Sequence, residues 1–289
     1  MDFLQHLVNG LLQGTMLALM ALGFSLVWGI LHIVNLSHSA TIMLSAYLTY
    51  FLWSGLGIDP LLSIPVSMTV LFALGFLLQK YVINFVMKAP ALTTFLLTYG
   101  VETLLVNLAF RFFTADLRQS KPSYANASFL LGGLYIPYTQ LIGVVISLGL
   151  TVAVYLYLDH SKAGRAIRAV AMDRVAARLM GINISNIYAL TFGIGAALAA
   201  AYGAILSTTN GFSPSGFSIY NILAFSIVVL GGLGSIPGVF VGGIVFGLIY
   251  EFAGTYMLAQ RDVIIFAILI VVLLVKPTGL LGREGYGGQ

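Results

Sequence analysis

Apolar residues in this chain neither alternate nor keep to one helical stripe. They run on for about twenty residues at a time and halt at short polar breaks. Such runs predict helices that cross a membrane, because a span takes about 20 mostly apolar residues. Nine follow one another, over 7–31, 37–53, 61–79, 92–113, 138–158, 187–207, 218–232, 238–252 and 263–275. The seventh and eighth are short and flank GGLGSIPG at 231–238. Taken as one broken element, they reduce the count to eight. In that run Gly231 and Gly232 fit a tight turn between helices. Two breaks match in length, HIVNLSHSA at 32–40 after the first run and NGFSPSGFS at 210–218 after the sixth. With nine spans the first and sixth runs point in opposite directions. That is the mark of an inverted repeat of spans one to four against six to nine, an arrangement that places a transport pathway at the repeat interface.

Composition agrees. Of 289 residues 60% are apolar and 8% charged, against about 25% charged in soluble domains, and mean hydropathy is +1.01. The fold class is an all-α polytopic membrane bundle, with 1–289 forming one transmembrane domain in the lipid bilayer. The net charge of +4 does not point to nucleic acid, because the basic residues cluster between spans. The chain has no cysteine, which excludes disulfides and thiolate metal sites, and its four histidines lack metal-ligand spacing. The N-terminus has no basic region of the kind that opens a cleaved signal peptide.

One polar island interrupts the hydrocarbon, over 159–186. It carries Lys162, Arg165, Arg168, Arg174 and Arg178, five of the chain's 13 basic residues. Short basic loops stay on the cytoplasmic side. Lys80 and Lys88, and Lys276 and Arg283, fall on the same side in a nine-span count. The N-terminus is then periplasmic and the C-terminus cytoplasmic. Arg111, Arg118 and Lys121 break the rule in an outer loop, where 121–137 reads as an ordered excursion. Within the island Asp173 fits the N-cap of a short helix starting at Arg174, and Gly181 fits the place just past its end, with positive φ. Val175, Leu179 and Ile182 then share one face, suited to burial by a partner. A loop that only fixes topology is the alternative.

Few polar side chains lie in the runs. Asn35, Ser37, His38 and Ser39 sit in the first break, either lining a substrate path or forming a turn in which Ser37 or Ser39 caps the second helix. Asn210, Ser213, Ser215 and Asn221 hold the matching position in the second. Glu102 stands mid-span, with Glu251 near an end. A mid-span carboxyl must face the bundle interior or water. Thr98 and Tyr99 are near enough to offer it hydroxyls, and His38 only if the first break is sunk into the membrane. It either holds helices together or lines the path or a subunit interface.

Four stretches together carry a family resemblance: ALGFSLVWGILHIVNLSHSATIMLSAY at 21–47, the run from SKAGRAIRAVAMDRVAARLMGINIS to YGAI at 161–205, VVLGGLGSIPGVFVGGIVFGL at 228–248 and VKPTGLLG at 275–282. In this order they resemble the branched-chain amino acid ABC importer permeases, of the type shared with vitamin B12 and ribose importers. The closest fit is to the first of the two permease subunits, in its short form. The resemblance implies a bacterial inner-membrane subunit beside a second permease, two ATPase subunits that use ATP and Mg, and a periplasmic binding protein. It implies no cofactor on this chain and no enzymatic activity, and no GxxxxGK[ST] phosphate loop is present. It assigns ATPase coupling to Gly164, Arg165, Arg168, Asp173, Arg174, Leu179 and Gly181. The chain departs from the family in three places. Ser37, His38, Ser39 and Ala40 replace AHGE, so an acidic residue is missing. Met172 stands where an acidic residue is usual and Leu223 where a lysine is frequent. Urea and short amides are therefore alternative substrates. A self-contained secondary transporter is the other class, disfavoured by the scarcity of ionisable residues within spans.

Overall fold

The structure is a computed structural model that describes residues 2–276 and 278–282, excepting the Asp262 side chain. Pro277 of the last family stretch, and Arg283 of the basic set, lie outside the described residues. Helix α1 covers Asp2–Leu31 and α2 Ser37–Leu56. Helix α3, Ser63–Leu78, continues through a π-helical turn, Gln79–Ile83, into α4, Asn84–Val86. Then come α5 (Ala91–Phe113), strands β1 (Ser128–Leu131) and β2 (Leu134–Pro137), and α6 (Tyr138–His160). Two short helices follow, α7 (Lys162–Met172) and α8 (Arg174–Leu179). Helices α9 (Ile184–Thr209), α10 (Ile219–Gly231), α11 (Ile236–Tyr256) and α12 (Arg261–Val275) complete the chain.

Each of the nine apolar runs is a helix. Among the described residues, seven helices, with α3 and α4 counted as one and α10 taken from the 3-10 turn at Pro214, are long and apolar enough to cross a membrane. Helix α12 is shorter, and α2 is as long as a span but richer in Ser, Thr and His. The seventh and eighth runs are two helices, α10 and α11, rather than one broken element.

The centre is formed by α1 and α9, whose most apolar windows are 94% and 89% buried, against 17% for α5 and 22% for α6. Between helices in lipid no hydrophobic effect drives burial, so small residues that let backbones approach decide which helices meet. Helix α1 carries Gly10 and Gly14, and α11 carries Gly243 and Gly247, four residues apart in each. A Cβ on Gly14 would come within 2.7 Å of the Gly243 carbonyl, and one on Gly247 would strike the Gly14 backbone. On another side of α1, a Cβ on Gly23 would lie 2.6 Å from the Gly195 carbonyl of α9.

The bundle has two distinct ends. At one, β1 and β2 pair antiparallel, Ser128 opposite Pro137 and Leu131 opposite Leu134. Gln5 of α1 reaches this hairpin, exchanging two hydrogen bonds of 2.8 Å with the Tyr135 backbone. The loop before it is ordered as the sequence suggested: Arg118 and Phe212 exchange backbone bonds of 2.8 and 2.9 Å. The Arg118 guanidinium also lies over the rings of Tyr50 and Phe51. This contact accounts for a basic residue on the side where the charge rule disfavours one. At the other end lie α7 and α8. Asn84 donates to Ser185 Oγ there (2.6 Å), which brings the Lys80–Lys88 connection beside the island. Leu280 and Leu281 donate to the carbonyls of Leu230 and Gly231, at 2.8 and 3.0 Å. Two of the family stretches thus touch, and Lys276 joins the same end. Gly231 packs on Gly238 and Gly232 has φ 110°, the tight turn expected.

Candidate functional site

Helix α1 runs from the hairpin end to the island end, where Leu31 O accepts from Arg174 (3.2 Å). Residues 32–36 then turn back into the bundle. His38 Nε2 meets Met20 O at 3.1 Å, so α2 starts level with residue 20. That is eleven residues, or about 16 Å, from the end of α1. Helix α10 descends from the hairpin end. Its Asn221 lies ten residues, about 15 Å, from its island-end terminus. Glu102 lies eleven residues, about 16 Å, into α5. Three helices thus place Ser39, Asn221 and Glu102 at one depth, near the middle of the bundle, and there they meet.

Ser39 Oγ donates to Glu102 Oε1 at 2.7 Å. Asn221 Nδ2 reaches Glu102 Oε1 (3.2 Å), Ser39 Oγ (3.0 Å) and Leu36 O (2.6 Å). Asn221 Oδ1 accepts from Ser39 N (3.0 Å). Non-helical backbone at membrane depth must find partners inside the protein, and it does. Thr98 Oγ1 takes the Leu36 N–H (3.3 Å) and donates to Val34 O (3.2 Å). Asn35 Oδ1 accepts from Ser37 N (3.1 Å) and Ser37 Oγ (2.6 Å). Neither Ser37 nor Ser39 caps α2, because Asn35 already holds the first turn and Ser39 is turned to Glu102.

The first polar break therefore meets the start of α10, just beyond the second break, through Asn221. Of the expected path residues, Ser39, Glu102 and Asn221 join one buried network, and buried Asn35 and Ser37 bond each other beside it. His38 is at the right depth but faces α1, edge-on to Phe24. Asn210 ends α9 exposed, and Ser213 pairs with Ser215 at 3.2 Å; neither joins the network. Thr98 serves the break backbone rather than Glu102, and Tyr99 is exposed on the far face of α5. Leu223 is buried one turn's reach from Asn221, so an apolar side chain fills the place of the family's lysine.

At the island, Asp173 caps α8, its Oδ1 accepting from Val175 N (2.7 Å) and Ala176 N (2.9 Å). Gly181 has φ 82°. Both fit the sequence expectation. Val175 and Leu179 stand 70% and 83% exposed, with Met172 and Met180 beside them at 82%. Ile182 differs: the chain reversal at Gly181 turns it back onto the core, where it is half-buried. Helix α7 was not foreseen. Ser161 caps it, accepting from Gly164 N (2.8 Å), and Ile167 and Val170 are buried at three-residue spacing. That signal was present but masked by the basic residues around it. Gly164 lies against the Tyr157 and Leu158 backbone, where a Cβ would collide.

The basic residues of the island mostly bind within the chain. Arg165 donates to His160 O (3.0 Å) and Arg168 pairs with Asp159. Arg174 reaches His32 Nδ1 (2.9 Å) and covers the Tyr188 ring. Burial, and then the Arg174 guanidinium, pull the His32 imidazole below its ordinary value of 6.5.

The model of the family described as branched-chain amino acid transport system, permease component, matches residues 6–273. The high-affinity branched-chain amino acid transport system permease protein BraD of Pseudomonas aeruginosa is 35% identical over 97% of this chain and 96% of its own length. The corresponding protein LivH of Escherichia coli is 32% identical over the same shares. A probable branched-chain amino acid permease LivH of Methanocaldococcus jannaschii is 27% identical over 96% of this chain and 92% of its own. No solved structure matches the chain.

Proposed function

Because the chain belongs to the permease-component family of branched-chain amino acid transport systems, we propose that it forms the membrane path of an ABC importer for branched-chain or related small amino acids. A second permease of the same kind stands beside it. Two ATPase subunits, using ATP and Mg, dock on the cytoplasmic island, and a periplasmic binding protein delivers the solute at the hairpin end. This chain binds no cofactor itself. The N-terminus is periplasmic and the island cytoplasmic.

The observation that carries this reading is the exposed apolar face of α8. Met172, Val175, Leu179 and Met180 are uncovered at the end of the bundle that bears the basic loops. Lipid does not reach a helix projecting past the membrane, so a protein must cover it. The cap at Asp173 and the reversal at Gly181 hold that face rigidly, as a coupling element needs. Replacing Leu179 with Asp places a charge at its centre. The variant should release the ATPase from purified complex or leave ATP hydrolysis running without transport. An intact, normally transporting complex would refute the docking.

Within the path, the network of Ser39, Glu102 and Asn221 acts as the mid-membrane seal that ties the two broken halves together. Glu102 supplies, from α5, the acidic group that the family keeps where Ala40 stands here.

A further inference from the structure

A cavity of about 560 Å³ lies on the island side of the bundle, away from the polar network. Its floor is α1, from Leu22 to Ile30. One wall is α6, with Tyr155 and Leu158, and the other is the start of α11, with Ile236 and Pro237. The floor is about 12 Å long. One leaflet of a bilayer is about 15 Å of hydrocarbon, half of its 30 Å core. The cleft therefore runs from mid-depth to the membrane surface on one side. Tyr155 is 52% exposed, so the cleft reaches the outer flank of α6.

Its chemistry changes along that depth. The deep part is mostly apolar, with Ser25 between Leu22 and Leu26, and the mouth holds Asp159 and Arg168. Asp159 Oδ1 binds Arg168 Nη1. Its Oδ2 lies 3.8 Å from the His160 ring and, among the described residues, accepts no hydrogen bond. Arg168 donates from Nη1 and Nη2 to Asp159 and keeps further guanidinium donors for an acceptor. A mouth with one carboxylate oxygen and one guanidinium complements a headgroup that carries both an ammonium and a phosphate.

We propose that this cleft binds one aminophospholipid, a phosphatidylethanolamine, with its acyl chain along α1, its phosphate on Arg168 and its ammonium on Asp159. A choline headgroup has no N–H to donate to Asp159, and an anionic glycerol headgroup brings no cation to it.

The test uses the assembled transporter, reconstituted in nanodiscs of equal parts phosphatidylethanolamine, phosphatidylcholine and phosphatidylglycerol. Native mass spectrometry then reads the lipids retained. One phosphatidylethanolamine per copy of this chain is expected. Asp159→Asn should lower the ratio of ethanolamine to choline lipid by about tenfold, the loss of one charge-assisted hydrogen bond. Ala171 of α7 also lines the cleft, and Ala171→Trp, which fills it, should remove the lipid of either class. Equal retention of the three lipids, no retention, a partner helix found in the cleft, or an unchanged ratio in Asp159→Asn would each overturn the proposal.

Discussion

Glu102 reaches two helices at once, and its substitution separates two roles. Glu102→Leu leaves Ser39 Oγ and Asn221 Nδ2 without their common acceptor. Asn221 keeps Leu36 O and Ser39 Oγ as acceptors, but Ser39 Oγ loses its short bond, and an unmet buried donor costs about 1–3 kcal/mol, so that variant should assemble less well. Glu102→Gln keeps an acceptor of the same size. If the carboxyl only ties helices together, the Gln variant transports like the parent. If its charge serves the path, as proposed, the variant assembles with normal yield and loses uptake. His32 gives a second residue-level outcome. Its neutral imidazole accepts from Arg174, and its folded-state value lies below 6.5. The contribution of this contact is therefore complete above about pH 6.5 and falls as pH drops toward the folded-state value. Protection of the α8 amides, taken relative to their intrinsic exchange at each pH, should fall on acidification, and His32→Asn should abolish that dependence. An acid response that survives in His32→Asn would place its source elsewhere. The mid-span position of Glu102 was legible from the length of its apolar run. Its partners were not, because Ser39 and Asn221 are distant in sequence and only the fold brings them together.

Helix existence follows from the apolar runs, but helix placement does not. In lipid a continuous apolar run says that a helix spans, not which neighbour it meets. The most buried helices, α1 and α9, are no more apolar than α6. What distinguishes α1 is Gly10, Gly14 and Gly23, and what distinguishes α11 is Gly243 and Gly247. Those spacings are in the sequence, but no single glycine pair names its partner. Gly14→Leu should be among the most damaging substitutions, because the Gly243 carbonyl and the Ile244 backbone leave no room. Overpacking of this kind costs about 1–3 kcal/mol or more. Thermal unfolding in detergent should show it, and a Gly14→Leu variant as stable as the parent would contradict the α1–α11 contact. The island shows the other side of legibility. Local rules found α8, its cap and its terminating glycine, because capping depends on near neighbours. They missed the inward turn of Ile182, which only the reversal at Gly181 produces.

At the scale of the whole molecule, two half-chains enter from opposite ends and close on one polar point at mid-depth. The matching breaks hinted at such a meeting, and the hydrogen bonds of Asn221 with Leu36 and Ser39 give it a position. Few ionisable groups lie within the described helices, and the proposed importer takes the energy for opening that point from partner ATPases acting through α8. The most direct measurement is uptake of radiolabelled leucine into proteoliposomes. One preparation holds this chain with its second permease, both ATPases and the binding protein, and another holds this chain alone. Uptake is expected only in the complete assembly, only with ATP, and not at all with Leu179→Asp. Accumulation by the chain alone under an ion gradient, without ATP, would contradict the importer reading.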